Sequence, residues 1–387
     1  MKAAILSDFK VVVPPNVMSQ ADVNAWTLRR HLATRSLART DDMTDAQYEK
    51  IFQRYAVKEN LIASRSFECS DILTDVESPD YASAEVYPVG PGQLAGSDIG
   101  ARTKFFVKRA SRVFEEIYQG VKMPPSHIVH VTCTGYRSPS AAQLMVASKD
   151  WGQEIGITHA YHMGCYASLP SVRIAEGLVG AKRAFGSRQN EPFKVDVVHT
   201  EMCGLHMNAG AHTAEQIVVQ TLFADGHIKY TISDEEAGKP GFRVLGVREL
   251  VVPDSDQDMS WQPEKWGLQM NLSREVPEKI KSVITPFFSK LAEQAGMSAE
   301  CLHKEAIFAV HPGGPKIINA VQEIMNLSDE QTGMSKKILR ERGNMSSATL
   351  PHVWNEILKA DAPKGTKVVS FAFGPGLTVF GGLFEVV

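Results

Sequence analysis

Cys165 stands in Gly164-Cys165-Tyr166-Ala167-Ser168, behind a strand-like segment and ahead of a helical one. A thiol at the start of a helix feels the positive end of the helix dipole and unpaired N–H groups, and both favour the thiolate. The thiolate is the nucleophile, so the setting suits covalent catalysis. Burial as an ordinary core cysteine fits the same context. His311 follows the apolar run Ala306-Ile307-Phe308-Ala309-Val310, and Pro312-Gly313-Gly314-Pro315 then turns the chain into a helix. Site residues gather at the ends of core strands in α/β sheets. A histidine satisfied there by backbone is the plainer alternative. Asn344 lies in Gly343-Asn344-Met345-Ser346-Ser347-Ala348, where asparagine often serves the turn alone. His159 and His162 are three apart on a strand-like segment, which points them to opposite faces and argues against a metal pair.

These residues need a scaffold, and the flanking pattern describes one. HIVHVTCTG reads as a buried strand ended by Gly135, followed by a helix starting near Ser138-Pro139, a pair that suits a cap and first helical position. THAYHMGC and ASLPSVRIAEGLVG repeat the strand-to-helix order. FKVDVVHTEM is a strand, Ala214–Phe223 a helix and His227–Ile232 a strand. Residues 233–265 read as a polar connector. The rhythm then returns with helices over Val276–Ala295, Pro315–Met325 and Leu350–Leu358, the strand AIFAVHPGG, and two buried strands around Gly374-Pro375-Gly376. The first sixty residues read as polar and helical, with a helix over Ala46–Ala63, and Ala101–Tyr118 is another helix. Strands alternating with helices imply an α/β protein with helices on the sheet faces, in two runs, 127–232 and 306–387.

Composition bounds the function. A chain of 387 residues makes two to three domains or one two-lobed body at about 150 residues each. Hydrophobic residues at 43% are enough for a sizeable core. The net charge of −3 supplies no basic excess for binding nucleic acid or an anionic membrane. Five scattered cysteines without a CxxC pair argue against a disulfide framework and a structural zinc. Val368–Phe384 is uncharged, but it falls short of the ~20 residues a membrane span needs and is broken by glycines and a proline. The N-terminus lacks the apolar core of a signal peptide, so a cytoplasmic setting is expected.

Cys165, HPGGP at 311–315, GNMSSA at 343–348 and FGPGLTV at 373–379 occur in this order. Together they resemble the type III polyketide synthases, the chalcone and stilbene synthase family, and the chain is identified as a divergent, bacterial-type member. The resemblance is dense from about residue 125 onward. It implies the thiolase fold, a layered αβαβα core built from two similar halves. Residues 1–235 would hold the nucleophile cysteine and 236–387 the histidine and asparagine, in a homodimer. It implies that Cys165 takes an acyl group from acyl-CoA and that His311 stabilises the thiolate as an ion pair. His311 and Asn344 would donate to the enolate oxygen formed as malonyl-CoA decarboxylates. The expected product is a pyrone or resorcinol-type polyketide, made without metal or cofactor beyond the CoA thioester substrates.

Further positions carry over singly. Phe223, in Leu222-Phe223-Ala224-Asp225-Gly226, resembles the gatekeeper between CoA tunnel and cavity, and Met270 takes the second gate, where phenylalanine is usual. Methionine is more adaptable, so the entrance is expected to admit medium-to-long acyl chains. Without the resemblance both would read as core residues. Arg54 and Lys58, i and i+4 on the expected 46–63 helix, align with CoA-binding cations, although a solvated helix face fits them too. Thr132, Cys133, Ser138, Cys203, His206 and Ser346 fall on cavity-lining positions. Two other readings stand beside this one. One is a single-condensation ketosynthase joining acyl chains delivered by an acyl carrier protein. The other is a non-catalytic scaffold, against which the intact Cys/His/Asn set argues.

Overall fold

The apolar runs of this chain pair into one nine-stranded mixed sheet. The computed structural model describes residues 4–38, 42–73, 84–181, 192–234 and 238–387. The elements begin with β1 (Ile5–Val12), β2 (Asn16–Ser19), α1 (Gln20–Ala38), α2 (Asp45–Tyr55), β3 (Ser64–Phe67), α3 (Ile99–Ile117) and β4 (His127–Thr132). Next come α4 (Ala141–Ser148), β5 (Gly156–Tyr161), α5 (Ser168–Gly180), β6 (Lys194–Met202), α6 (Ala214–Leu222) and β7 (Asp225–Ser233). The remainder is β8 (Gly241–Val251), β9 (Met259–Pro263), β10 (Leu268–Leu272), α7 (Val276–Gln294), α8 (Ala299–Glu305) and β11 (Ile307–Val310). It closes with α9 (Pro315–Ile324), α10 (Asp329–Arg342), α11 (Thr349–Lys359), β12 (Lys367–Gly374) and β13 (Thr378–Val386).

The sheet runs β11-β12-β13-β8-β1-β7-β6-β4-β5. On one arm β4 pairs in parallel with β6, which is antiparallel to β7, which is antiparallel to β1. On the other, β11 is parallel to β12, which is antiparallel to β13, which is antiparallel to β8. The same order of pairings thus occurs twice. A short antiparallel seam joins the arms, Ile5–Ser7 against Gly241–Arg243.

Strand alternation sorts the apolar side chains into layers. Val129 and Val131 of β4, with Val368, Ala372 and Phe380 of the other arm, pack on α5 and α11. Ile128 and Val198 instead meet α3 through Phe105, Phe106 and Phe114. Val369, Phe371 and Val379 meet α7 through Ile284, Phe287 and Leu291. The central helices are therefore covered by a sheet arm on each side, and each arm by an outer helix, which is the αβαβα order. Neighbouring glycines of β13 mark two of these faces. A Cβ at Gly381 would lie 2.7 Å from Phe287 of α7, and one at Gly382 2.8 Å from Leu169 of α5.

Several sequence expectations change. The N-terminal stretch read as helical opens with β1, near the middle of the sheet, and the 233–265 connector contains β8 and β9. Ser140, not Ser138, caps α4, with Gln143 completing a capping box. The helix expected over 46–63 ends at Tyr55. The expected boundary between halves, at 235/236, lies outside the described residues. No described helix is long and apolar enough to cross a membrane.

Candidate active site

Three turns converge beside the α5 and α11 layer. Cys165 lies between β5 and α5, in a turn that requires glycine before it. Gly164 has φ 80°, and a Cβ there would come within 2.5 Å of Pro375. The Gly374-Pro375-Gly376 turn of the β12–β13 hairpin thus braces the cysteine loop, which gives that motif a physical reason. Cys165 is buried, and burial pushes its thiol up to about 12, opposed by hydrogen bonding to the Ser346 and Asn344 side chains. The helix start stands further off than the sequence suggested: α5 begins only at Ser168, and burial acts against the charged thiolate.

His311 continues the β11–β12 ladder by donating its backbone N–H to Phe371 O at 2.7 Å. The residue is 1% exposed, and neither ring nitrogen has a hydrogen-bond partner, Cys165 Sγ included. Burial drives the imidazole down to about 3. A strand-end histidine satisfied by backbone is therefore not what stands here. An unpaired buried polar group costs roughly 1–3 kcal/mol, so this ring is held ready for a partner.

Asn344 follows α10 and bridges to Phe223. Ala224 N–H donates to Asn344 O at 2.8 Å and Asn344 N–H to Leu222 O at 3.1 Å. Its side-chain Oδ1 accepts from Ser346 N–H at 2.9 Å and from the Thr349 hydroxyl at 3.3 Å. Nδ2 has one long contact, 3.4 Å to Gly313 O, in the turn that follows His311. The amide is thus oriented by its oxygen, and its donor end points toward the histidine loop. Ser346, with φ 49°, places its hydroxyl 2.8 Å from Cys133 Sγ.

Leu222, next to Phe223, lines a cleft of about 520 Å³ whose walls also include Arg54, Lys58, Arg274, Lys316, Gly313 and Gly314. Arg54 and Arg274 rest on opposite sides of the sequence but on one ring, Tyr55, at 5.6 and 5.8 Å. Lys58 is not on α2 as expected. Val57 N–H donates to Thr221 Oγ1 at 3.0 Å and draws the chain off the helix axis, yet Lys58 still faces the cleft. Glu215, a carboxylate in the lining, is engaged by Leu272 N–H. Inside Phe223 are two pockets of about 20 Å³ each. One touches Cys133, Cys165, Met270 and Ser346, the other His206, and both touch Cys203, Phe223 and Trp261. Each has room for roughly one or two water-sized groups, smaller than the space the sequence led us to expect behind Met270. Thr132 is buried beside them, bonded to Thr134 and Glu201. Ser138 is exposed and lines none of these pockets, because the chain turns outward after Gly135 meets Phe106.

Sequence reasoning missed five residues. Arg274 and Lys316 double the cations of the cleft, and Trp261 fills the interior. Glu201, fully buried, accepts from Cys133 N–H at 3.1 Å, the Thr134 hydroxyl at 2.8 Å and the Ser347 hydroxyl, tying two site turns together. An acid near the end of FKVDVVHTEM, in a segment read as a strand, was the available signal. Arg65, also buried, donates to Phe223 O at 2.7 Å and Gln220 O at 2.9 Å and so fixes the gate from behind. Nothing local in SRSF announces that role.

Residues 245–387 match the chalcone and stilbene synthases, C-terminal domain. Over 266 residues, 68% of this chain, the sequence is 30% identical to probable polyketide synthase 1 of Dictyostelium discoideum, of whose length it spans 8%. Among solved structures, PKS-I of the brown alga Ectocarpus siliculosus superposes with a TM-score of 0.81 at 19% identity, covering 100% of this chain and 98% of that one. The C-terminal type III polyketide synthase domain of Steely1, a type I/III hybrid from Dictyostelium, gives 0.80 at 23% identity, covering 99% of each. Residues 245–387 thus match the C-terminal domain of the chalcone and stilbene synthases, and the chain as a whole is folded as the type III polyketide synthases are.

Proposed function

We propose that the chain is a type III polyketide synthase that loads an acyl group on Cys165 and extends it with malonyl-CoA. The observation that carries this reading is the buried His311 ring with both nitrogens unspent, one turn from the donor end of Asn344. Burial alone holds Cys165 and His311 neutral, but moving the proton from Sγ to the imidazole creates opposite charges that compensate each other. The thiolate attacks the acyl-CoA thioester carbonyl and CoA leaves as its thiolate. Malonyl-CoA then loses CO₂, and its electron pair becomes an enolate whose oxygen receives N–H donors from His311 and Asn344. The enolate carbon attacks the acyl-cysteine carbonyl, forms the new C–C bond and expels the Cys165 thiolate. Phe223 and Met270, both lining the pocket at Cys165, would serve as its gate, and Arg54 and Lys58, with Arg274 and Lys316, offer charge to the CoA phosphates. Cys133, Cys203, His206, Ser346 and, behind them, Thr132 shape the interior. Ser138 has no part in the pocket of a single chain.

The substrates are then CoA thioesters, with no metal or redox group in the reaction. The cationic cleft favours CoA, which carries an extra phosphate and an adenylate, over a carrier-bound pantetheine. The repeated pairing order of the two arms supports division into similar halves near residue 235. β5 ends the sheet with an unpaired edge, which suits continuation across a homodimer. Five free cysteines suit a reducing cytoplasm. The test is incubation with ¹⁴C-malonyl-CoA and a panel of acyl-CoAs. Labelled CO₂ and a labelled pyrone or resorcinol are expected. Reaction with carrier-protein thioesters alone would favour the ketosynthase reading, and no CO₂ release would refute condensation.

A further inference from the structure

We infer that Arg65 is a positioning residue that locks the Phe223 gate to the turn carrying Asn344, so that entrance and oxyanion donor keep one geometry. The inference rests on the condensing-enzyme reading and deepens it. Arg65 lies on β3 and is fully buried. Its Nη1 donates to Gln220 O at 2.9 Å and to Phe223 O at 2.7 Å, at the end of α6. The last carbonyls of a helix have no partner within it, and a cation is favoured there. The guanidinium thus caps α6 at the point where Phe223 leaves it. Nε donates to Gln20 Oε1 at 2.8 Å, and Gln20 Nε2 donates in turn to Thr221 O at 2.8 Å, so a second side chain holds the same helix end.

The stem of Arg65 meets the Asn344 turn. Gly343 has φ 71°, and a Cβ there would lie 3.0 Å from Arg65 Cγ and 3.0 Å from Leu222 O. The backbone before Arg65 holds the end of α10 as well. Ala63 N–H donates to Arg340 O at 2.6 Å, and the Ser64 hydroxyl donates to Glu341 O at 2.8 Å. Asn344 is bonded through its own backbone to Leu222 and Ala224, on either side of Phe223. Gate and donor therefore form one unit, and Arg65 is a side chain that touches both of its parts. Without the guanidinium, the end of α6 and the Asn344 turn would shift together.

A double-mutant cycle on malonyl-CoA decarboxylation reads this coupling, with rates expressed per Cys165 that can be alkylated. Arg65→Ala should cost roughly tenfold to a hundredfold in the wild-type background, because a displacement of about 1 Å suffices for such a loss. In the Asn344→Ala background it should cost less than about threefold, since the donor it positions is gone. A merely structural role would give the same loss in both backgrounds. The gate is read separately, by labelling of Cys165 with N-phenylmaleimide relative to iodoacetamide. Arg65→Ala should raise that ratio by roughly fivefold or more, through a loosened entrance. Arg65→Lys keeps the stem and the charge but cannot fork, so it should show both effects in smaller size, and it serves if Arg65→Ala does not fold. Equal losses in the two backgrounds, an unchanged labelling ratio in folded Arg65→Ala, or wild-type behaviour of Arg65→Lys overturns the inference. Absence of CO₂ release by the wild type would refute condensation and leave the labelling ratio readable, so the two failures are separable.

Discussion

Asn344 is held so that one end of its amide is spent on the turn and the donor end faces the histidine loop and Cys165. That division decides what its loss should do. Asn344→Ala removes one of two donors to the enolate oxygen, and such a loss typically costs about 10²–10³ in rate. Malonyl-CoA decarboxylation should fall by that factor, while acylation of Cys165, measured by single-turnover quench, should fall far less. Equal losses in both steps would make Asn344 a structural residue. The cysteine teaches a related lesson. Its sequence context promised a thiolate, but burial acts against that charge, and in the proposed mechanism the pairing with His311 supplies it. Which turns come together was legible in HPGGP, GNMSSA and the cysteine together. How they are energised was not, because desolvation depends on everything packed around them. Trp261 and Arg65 were invisible for the same reason: neither type nor spacing tells that an indole or a guanidinium is turned into a site formed by distant segments.

Elements with one clear period were read well. The β12–β13 hairpin, β4, β6, α3 and α7 sit within a few residues of where the sequence placed them. β1 was missed because ILSDFKVV does not alternate cleanly. Asp8 has φ 55° and the register with β7 slips between Ser7 and Lys10, so the two charged residues fall at the irregularity. Both are used: Asp8 accepts from Lys229 Nζ at 2.8 Å, and Lys10 Nζ donates to Glu116 O and Ile117 O at the end of α3. β8, GFRVLGVRELV, was read as connector because much of it is only half-buried and carries Arg243, Arg248 and Glu249. Half-buried strands near the seam of a sheet hold polar residues that a buried-strand pattern excludes. α10 escaped notice because its sequence is mostly polar, although its Ser328–Gln331 capping box was there to be read.

The whole molecule carries an unusual load of buried imidazoles. His31 is pushed down to about 4, and His130, His199, His206, His311 and His352 to about 3, in each case by burial first. Their folded pKa values lie below the ordinary 6.5, so the stabilisation is full above pH 6.5. It is lost as pH falls, because the unfolded chain takes up protons that the folded one refuses. Each group contributes a slope of up to about 1.4 kcal/mol per pH unit below 6.5. Asp225, raised to about 7 by burial, acts in the opposite sense, as do Glu201 and Glu176, while His127 and His159, also lowered by burial, add to the six rings. Urea unfolding should therefore show a steep loss of stability between pH 6.5 and 5. A flat midpoint across that range would mean that these rings are not buried as neutral groups. One measurement bears most directly on the central claim, that Cys165 is the acyl carrier. After a short incubation with an acyl-CoA, intact and peptide mass spectrometry should find one acyl group on Cys165, and none on Cys165→Ala. An acyl group on Cys133 or Cys203 instead, or none on the wild type, would contradict the account.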